Sequence, residues 1–202
     1  MPLNNRLRIV NHFSGDINCN ISELQQQIAV FEDVSAYRKL FHCLFPSIQN
    51  FAFSIVKSRQ LAEEIASDVL MEVWMRRLKL MEVENLRLYL FTSAKNASLK
   101  KLRQETRFSL STLDELQVEF ISDYGNPEEL MNRSELEKKV HEAINELPPR
   151  CKVIYKLAKE DKLKYAEIAE LLDVSIKTID SQLVIANKKI ISTVKSFVGK
   201  KS

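Results

Sequence analysis

The feature that most constrains the fold is a pair of apolar-faced helices near the end of the chain, separated by only three residues. Helical periodicity covers residues 165–172 and resumes over about 176–193, with Asp173, Val174 and Ser175 between the two segments. Aspartate tolerates the left-handed backbone conformation that such a turn needs, and serine is a favoured helix N-cap. This spacing predicts a helix-turn-helix, in which the second helix enters the major groove of DNA.

The second of these helices has one apolar face and one polar face. Its buried stripe is predicted at residues spaced by four, three and four positions: Ile179, Leu183, Ala186 and Ile190. The opposite face carries side chains that suit phosphates and base edges: Lys177, Thr178, Ser181, Gln182 and Lys188. Val184 and Ile185 also point outward, where they could contact thymine methyl groups or a protein partner. A plain helical hairpin with a solvated face is the alternative on this pattern alone.

Composition favours helices along the rest of the chain. Only 3 Gly and 5 Pro occur among 202 residues, fewer turn residues than a protein rich in strands requires. Hydrophobic residues make up 45% of the chain, enough to bury a core, so wholesale disorder is not expected. We predict an all-α protein with two small helical domains joined by a flexible acidic linker, the C-terminal domain being a helix-turn-helix.

A break in the helical pattern separates the two predicted domains. Residues 109–126 contain Gly125 and many short polar side chains. From Asp114 to Glu142 the chain has nine acidic and three basic residues, whereas from Lys162 to the end it has eight lysines and four acidic residues. The predicted segments are an N-terminal extension without assigned function, a first domain, a linker, a second domain and a basic tail, at residues 1–35, 36–108, 109–126, 127–195 and 196–202.

An acidic stripe marks the second helix of the first domain. Glu64, Asp68 and Glu72 are spaced by four residues, so three like charges share one side of the helix, which is unfavourable in isolation. Met71 and Met75 border the stripe. An acidic stripe edged by exposed methionine suits docking onto a basic protein surface. A solvated face is the equally weighted alternative.

The third helix of the first domain carries a different face. Its members lie within roughly 80° of arc on a helix of 3.6 residues per turn: Asn85, Tyr89, Thr92, Asn96, Lys100, Arg103 and Arg107. Cations of this kind follow phosphates, while the amides and the aromatic ring can contact unstacked bases, so the face suits a single DNA strand. In the alternative, Tyr89 belongs to the core and the cations are merely solvated.

Three stretches in order carry a family resemblance: AEEIASDVLMEVW at residues 62–74, YLFTSAKNASLKKLR at 89–103 and LPPRCKVIYKLAKEDKLKYAEIAELLDVSIKTIDSQLVIA at 147–186. They resemble the extracytoplasmic-function group of the sigma-70 family of bacterial RNA polymerase sigma factors. The resemblance covers about residues 36–191. It implies two helical domains. The first binds the clamp helices of the polymerase's largest subunit and opens the −10 element, and the second binds the flap of the neighbouring subunit and the −35 element.

The resemblance also implies roles for individual residues. The polymerase-binding helix corresponds to Glu64, Asp68, Glu72 and Trp74. The loop that reads a flipped −10 base corresponds to residues 79–84 with Asn85, and the melting helix to Tyr89, Asn96, Lys100 and Arg103. The −35 reader corresponds to Ser175, Lys177, Thr178, Ser181 and Gln182. Two positions depart from the family pattern: Ser67 stands where Gln is frequent, and Ile185 replaces a frequent basic residue, which weakens the expected phosphate contact.

The cysteine spacing and the absence of catalytic, metal-binding and membrane motifs argue against several other classes of protein. Cys19, Cys43 and Cys151 lack any paired metal-binding spacing, so buried reduced thiols are expected, with a zinc site at His42 and Cys43 as the weaker alternative. No nucleophile–base pair, phosphate loop or metal spacing indicates an enzyme, and no cofactor is predicted. No signal-peptide pattern or run of 18 apolar residues occurs, which predicts a cytoplasmic protein without membrane insertion.

The expected partners are core RNA polymerase, contacted at its clamp helices and flap, and promoter DNA, to which the resemblance adds an anti-sigma factor. Two other functions stay open from the sequence. One is a conventional helix-turn-helix regulator with an N-terminal effector or dimerisation domain. The other is a helical adaptor without DNA binding, which the outward positions of Val184 and Ile185 favour.

Overall fold

The computed structural model describes residues 19–106 and 135–199, which belong to two compact units. The first unit holds residues 19–106 and the second holds residues 135–199. Every regular element in these two ranges is a helix, which confirms the all-α prediction. The predicted linker, most of the predicted N-terminal extension and the end of the predicted basic tail lie outside the described residues.

Within residues 19–106 the chain forms four α-helices and one 3-10 helix. In chain order they are α1 (Ile21–Phe31), α2 (Val34–Val56), α3 (Arg59–Met75), the 3-10 helix η1 (Arg77–Glu82) and α4 (Leu86–Thr106). Helix α2 packs against the other three α-helices, and α1 packs along η1. The sequence pattern predicts a polar connection at residues 79–84. Most of these residues belong to η1 instead, and the buried side chain of Leu80 anchors η1 to the core.

The first two connections between helices are short because each consists of two residues with complementary roles. Glu32 and Lys57 end α1 and α2 in the left-handed backbone conformation, with φ of 49° and 58°. The residue that follows each of them, Asp33 or Ser58, then accepts a hydrogen bond from a backbone N–H in the first turn of the next helix. An N-cap of this kind stabilises a helix by about 1 kcal/mol.

The core of the first unit contains a pair of buried phenylalanines. The rings of Phe51 on α2 and Phe91 on α4 meet edge to face, with their centroids 5.2 Å apart. Such a pair contributes about 0.5–1.5 kcal/mol beyond the apolar area it buries. The same core contains fully buried aliphatic side chains from α2, α3 and α4: Leu40, Ile48, Ile65, Leu70 and Leu90. Because these apolar faces turn inward, the polar faces of α3 and α4 turn toward solvent.

Within residues 135–199 four helices form the second unit. They are α5 (Glu135–Asn145), α6 (Pro149–Lys159), α7 (Tyr165–Leu172) and α8 (Ile176–Gly199). Helix α8 packs against the other three. The bounds of α7 coincide with the predicted helix, whereas α8 continues beyond its predicted end. Pro149 occupies the first position of α6, where its missing N–H would have no partner within the helix.

A disulfide corrects the prediction of three reduced thiols. Cys19, just before α1, is bonded to Cys43 on α2, and their Cα atoms are 6.5 Å apart. The packing of α1 against α2 brings these two residues together, although they are 24 positions apart in the sequence. A pairing of residues so far apart cannot be predicted from a local sequence pattern. The bond also removes Cys43 from the alternative zinc site with His42. Cys151 is free and buried, as predicted, and this burial raises the pKa of its thiol.

Two absences hold for the described ranges of the chain. No group of His, Cys, Asp and Glu side chains there is arranged to hold a metal ion. No helix there is both long enough and apolar enough to cross a lipid bilayer.

Candidate nucleic-acid and protein interfaces

The turn between α7 and α8 has the backbone geometry predicted for a helix-turn-helix. Asp173 ends α7 with φ of 56° and ψ of 52°, in the left-handed region. The N–H of Val174 donates to the carbonyl oxygen of Ala169 at 2.9 Å, which closes the last turn of α7. Ser175 then caps α8, and its Oγ accepts from the N–H of Thr178 at 3.0 Å. The predicted roles of Asp173 and Ser175 are both confirmed.

Helix α8 buries the predicted apolar stripe and turns its polar face outward. The four stripe residues are all buried: Ile179, Leu183, Ala186 and Ile190. Of the six residues of the helix-turn-helix that are predicted to contact DNA, four are exposed: Ser175, Lys177, Ser181 and Lys188. The other two are half-buried: Thr178 and Gln182. All six therefore remain at least partly accessible to a ligand that approaches the outer face of α8.

Hydroxyl groups on this face already make hydrogen bonds within the helix. The Ser175 and Thr178 hydroxyl oxygens are 2.8 Å apart. The Ser181 hydroxyl lies within donating distance of two carbonyl oxygens of its own helix, 3.0 Å from that of Lys177 and 2.9 Å from that of Thr178. A hydroxyl that donates within its own helix can still accept a hydrogen bond. Ser181 is therefore better suited to an amino group of adenine or cytosine than to an acceptor on a base edge.

Apolar side chains interrupt the polar face of α8. Val184 and Ile185 are 45% and 46% exposed, which confirms their predicted outward positions. Ile176, which the sequence analysis misses, is 55% exposed. The sequence could have predicted this exposure, because Ile176 directly follows the N-cap and lies outside the buried stripe. Large apolar groups exposed beside a polar face suit thymine methyl groups or the apolar surface of a protein.

The acidic stripe on α3 is partly neutralised inside the first unit. Glu64 Oε1 lies 2.7 Å from the Nζ of Lys101 on α4, and Glu72 Oε1 lies 2.8 Å from a guanidinium nitrogen of Arg76. These partners explain how one helix tolerates three carboxylates at four-residue spacing. Asp68 is exposed and makes no ion pair with any other described residue. Asp68 is therefore the stripe carboxylate that a partner can neutralise without breaking an internal ion pair.

Trp74, at the end of α3, is held in a cluster that the sequence analysis does not foresee. Its ring lies 5.2 Å from that of Tyr37, centroid to centroid, and the Arg77 guanidinium lies over it at 4.8 Å. The Tyr37 hydroxyl donates to the carbonyl oxygen of Leu70 at 3.2 Å, and burial raises the pKa of Tyr37. Trp74 is half-buried, so only part of its ring remains accessible to a partner. Met71 and Met75 are exposed, as predicted.

The polar face of α4 emerges as predicted from sequence. Asn85 caps the helix, its Oδ1 accepting from the N–H of Leu88 at 3.0 Å. Tyr89 is half-buried and is therefore not a core residue. Four further members of the face are exposed: Thr92, Asn96, Lys100 and Arg103. The structure thus brings an aromatic ring, an amide and two cations to one accessible side of α4, while Arg107 lies outside the described residues.

Comparisons with known proteins match two separate regions of the chain to known families. The family described as Sigma-70 region 2 matches residues 40–108, and the family described as Sigma-70, region 4 matches residues 137–190. The ECF RNA polymerase sigma-E factors of Escherichia coli strain K12 and Shigella flexneri are each 25% identical over 187 residues, covering 87% of this chain and 97% of theirs. A solved structure of the sigma factor RpoE in complex with the anti-sigma factor NepR, from Bartonella quintana, is 21% identical with a TM-score of 0.48, covering 80% of this chain and 98% of that one.

The two matched regions occur in one order and together cover more than half of the chain. The chain therefore belongs to the sigma-70 family, as a member of its extracytoplasmic-function group. It is a sigma factor that binds core RNA polymerase and directs promoter-specific transcription initiation, and it is not an enzyme. This assignment replaces the regulator and adaptor alternatives. The α3 and α4 faces fall within the match to region 2, and the helix-turn-helix falls within the match to region 4.

Proposed function

We propose that the two units divide promoter recognition between them. The predicted domain of residues 36–108, which includes most of the first unit, binds core polymerase through α3 and opens the −10 element through α4. The predicted domain of residues 127–195, which includes most of the second unit, reads the −35 element through α8 and binds the polymerase flap. The observation that carries this proposal lies in the first unit, where an acidic face and a cationic, aromatic face occupy neighbouring helices that the Glu64–Lys101 ion pair joins.

The α4 face suits a strand that has left the double helix. Lys100 and Arg103 are exposed on the same side as Asn96, so phosphates can follow the cations while bases meet the amide. The accessible part of the Tyr89 ring offers a stacking surface, and stacking of one base on an aromatic side chain contributes about 1–3 kcal/mol. Because this energy is gained only by an unpaired base, the face favours the open strand over the duplex.

The acidic stripe suits the clamp helices of core polymerase. Glu64 and Glu72 are already paired within the unit, whereas Asp68 is exposed for pairing with a basic partner. Met71 and Met75 supply adaptable apolar contacts at the border of the charge. The accessible part of Trp74 extends the same surface.

The second unit offers only a weak electrostatic contact to the phosphates of DNA. Lys177 and Lys188 are the cations of the proposed −35 surface, and Ser181 and Gln182 face the base edges. Ile185 brings no charge, so the contact to phosphates depends on few side chains. Tight promoter recognition by this unit therefore depends on the polymerase that holds both units on one DNA molecule.

We also propose an anti-sigma factor as a regulatory partner and the cytoplasm as the place of action. Two of the proposed interfaces expose large apolar side chains, Met71 and Met75 on α3 and Val184 and Ile185 on α8. Such side chains are usually covered by a partner. An inhibitor that covers them would exclude polymerase and DNA together.

The first test reconstitutes transcription from purified parts. Core polymerase with this chain is expected to give run-off product from promoters that co-purify with the complex, and core polymerase alone is not. A variant with Tyr89→Ala and Asn96→Ala is expected to lose at least about tenfold of this product on duplex templates, because an unpaired base gains less stacking energy. On templates already mismatched across the −10 element, the variant is expected to recover most of the activity.

The matched control for this experiment is Gln26→Ala, which alters an exposed side chain on α1 outside both proposed faces. It should behave as the unaltered chain on both templates. An equal loss for the double variant on duplex and mismatched templates would show that α4 does not act in strand opening.

A second test addresses the −35 contact. Lys177→Ala is expected to weaken holoenzyme binding to −35-containing DNA and to reduce the slope of log affinity against log salt by about 1, as loss of one phosphate contact predicts. Lys195→Ala is a matched control, because Lys195 is also exposed and lies on the same side of α8, about 27 Å further along the helix axis. Equal effects of the two substitutions on affinity and slope would contradict the assignment of Lys177.

A further inference from the structure

Helix α1 lies outside both matched family regions, yet it makes a specific polar contact with the chain ahead of α4. The Gln25 side chain is 9% exposed, and its Nε2 donates to the carbonyl oxygens of Leu80 at 2.6 Å and of Val83 at 2.7 Å. Leu80 lies within η1 and Val83 directly follows its last residue, and the Leu80 carbonyl oxygen also accepts from the N–H of Val83 at 3.1 Å. One buried amide with two N–H donors therefore binds two carbonyl oxygens at the C-terminal end of η1 at once.

A second contact ties α1 to the other end of η1. Glu32, which follows α1, accepts from the Nε of Arg77 at 2.7 Å. Arg77 also donates to the carbonyl oxygen of Trp74 at 3.1 Å. Helix α1 thus lies along η1 in the opposite direction, with Gln25 at one end of η1 and Glu32 at the other. The seven residue steps from Gln25 to Glu32 span about 10 Å of α-helix, close to the roughly 12 Å of a six-residue 3-10 helix.

The same contacts leave one set of side chains outside. Within residues 79–85, which we call the reading segment, Leu80 is buried and Asn85 caps α4. Gln25 therefore holds the backbone of the segment at Leu80 and Val83, and the Asn85 cap holds it where α4 begins. The side chains that remain exposed are those of Lys79, Met81, Glu82 and Glu84.

We propose that α1 is the positioning element of the reading segment and that Gln25 is a positioning residue that sets −10 base specificity. The inference rests on the proposed function of the first unit in −10 recognition, and on the resemblance that relates residues 79–84 with Asn85 to the reading of a flipped −10 base. A site discriminates between ligands only when its backbone is held close to the productive geometry. Removal of the Gln25 amide takes one hydrogen-bond donor away from the carbonyl oxygens of Leu80 and Val83. The backbone of the segment can then take other paths, and the segment can accept incorrect bases.

The test compares two adjacent glutamines of α1. Gln25→Leu keeps a similar volume and removes the donor, whereas Gln26→Leu makes the same change at an exposed position. Holoenzyme made with each variant transcribes a pool of promoters that are randomised at the −10 element, each linked to a barcode in the transcribed region. The barcode counts give the preference for the best −10 base over the next, and binding to core polymerase and dependence on the −35 element are measured in parallel.

Gln25→Leu is expected to reduce the −10 base preference about tenfold, as loss of a buried hydrogen-bond donor implies. Binding to core polymerase and dependence on the −35 element should stay at the level of the unaltered chain, and Gln26→Leu should change none of the three measurements. An unchanged −10 preference in Gln25→Leu would overturn the proposal. An equal decline of all three measurements would also overturn it, because that result indicates a merely structural role.

A second variant covers the case in which Gln25→Leu does not fold. Glu32→Gln weakens the other contact of α1 at an exposed residue and is expected to move the −10 preference in the same direction by a smaller factor. An unchanged preference in that variant, beside an unfolded Gln25→Leu, would refute the proposal. Failure of the unaltered chain to direct −10-dependent transcription would instead refute the proposed function.

Discussion

Replacement of Asp68 with lysine is expected to weaken binding of the chain to core RNA polymerase by about 30-fold or more. Loss of one partner from a charge pair that is buried in an interface costs about 2–5 kcal/mol, and about 1.4 kcal/mol corresponds to a tenfold change in affinity. Charge reversal adds repulsion to that loss. The measurement is the dissociation constant of the holoenzyme, taken at two salt concentrations because rim charges would be screened.

Asp68 is preferable to the other two acidic residues of the stripe as a site for this change. Glu64 and Glu72 make ion pairs with Lys101 and Arg76, so their replacement also alters contacts inside the unit. Asp68 is exposed, and its replacement should leave the fold intact. Its loss therefore reports on the partner alone.

The matched control is Glu63→Lys, which makes the same change of charge on the same helix. Glu63 is exposed and lies about 140° away from Asp68 around the helix axis. It should bind core polymerase as the unaltered chain does. Equal affinity of the two variants would mean that the acidic stripe is only a solvated face, which is the alternative interpretation of the sequence.

The second large effect concerns stability. Phe91→Ala is expected to lower the free energy of unfolding of the first unit by about 3–5 kcal/mol, because it removes a buried ring and leaves a cavity beside Phe51. Denaturant titration followed by tryptophan fluorescence measures this loss directly. Trp74 is the single tryptophan of the chain and lies in the first unit, so its emission follows that unit alone.

Phe31→Ala provides the comparison for the stability experiment. Phe31 has the same side chain but is 71% exposed, so its removal should change the unfolding free energy by no more than about 0.5 kcal/mol. Circular dichroism serves as a second probe of both variants. A loss below about 1 kcal/mol for Phe91→Ala would contradict the central position that the structure gives to this ring.

Features that depend on three or four neighbouring residues could be predicted from the sequence. The buried stripe of α8 follows from helical spacing, and the left-handed turn at Asp173 follows from the chemistry of that side chain next to a serine N-cap. The polar face of α4 follows from the same periodicity. In each case the local pattern itself determines which side of a helix meets the core.

Features that depend on how helices meet could not be predicted in this way. Lys101 pairs with Glu64 across 37 positions, and Gln25 reaches Leu80 across 55. Cys19 meets Cys43 because α1 packs on α2, although neither residue has a neighbour in sequence that indicates a bond. Such pairs are set by the crossing of helices, which side-chain packing over the whole core determines.

The contact between Gln25 and the chain ahead of α4 has a consequence for which residues of this chain can be exchanged. Gln25 binds two backbone carbonyl oxygens, which every residue type provides, and it makes no hydrogen bond that depends on the identity of the side chains at 80 and 83. The exposed side chains around Leu80 and Val83 can therefore be exchanged without loss of the two hydrogen bonds from Gln25. On the proposed role of the reading segment, exchange of its outer side chains on this fixed backbone is expected to change the −10 preference, provided that α1 stays together with the segment it holds.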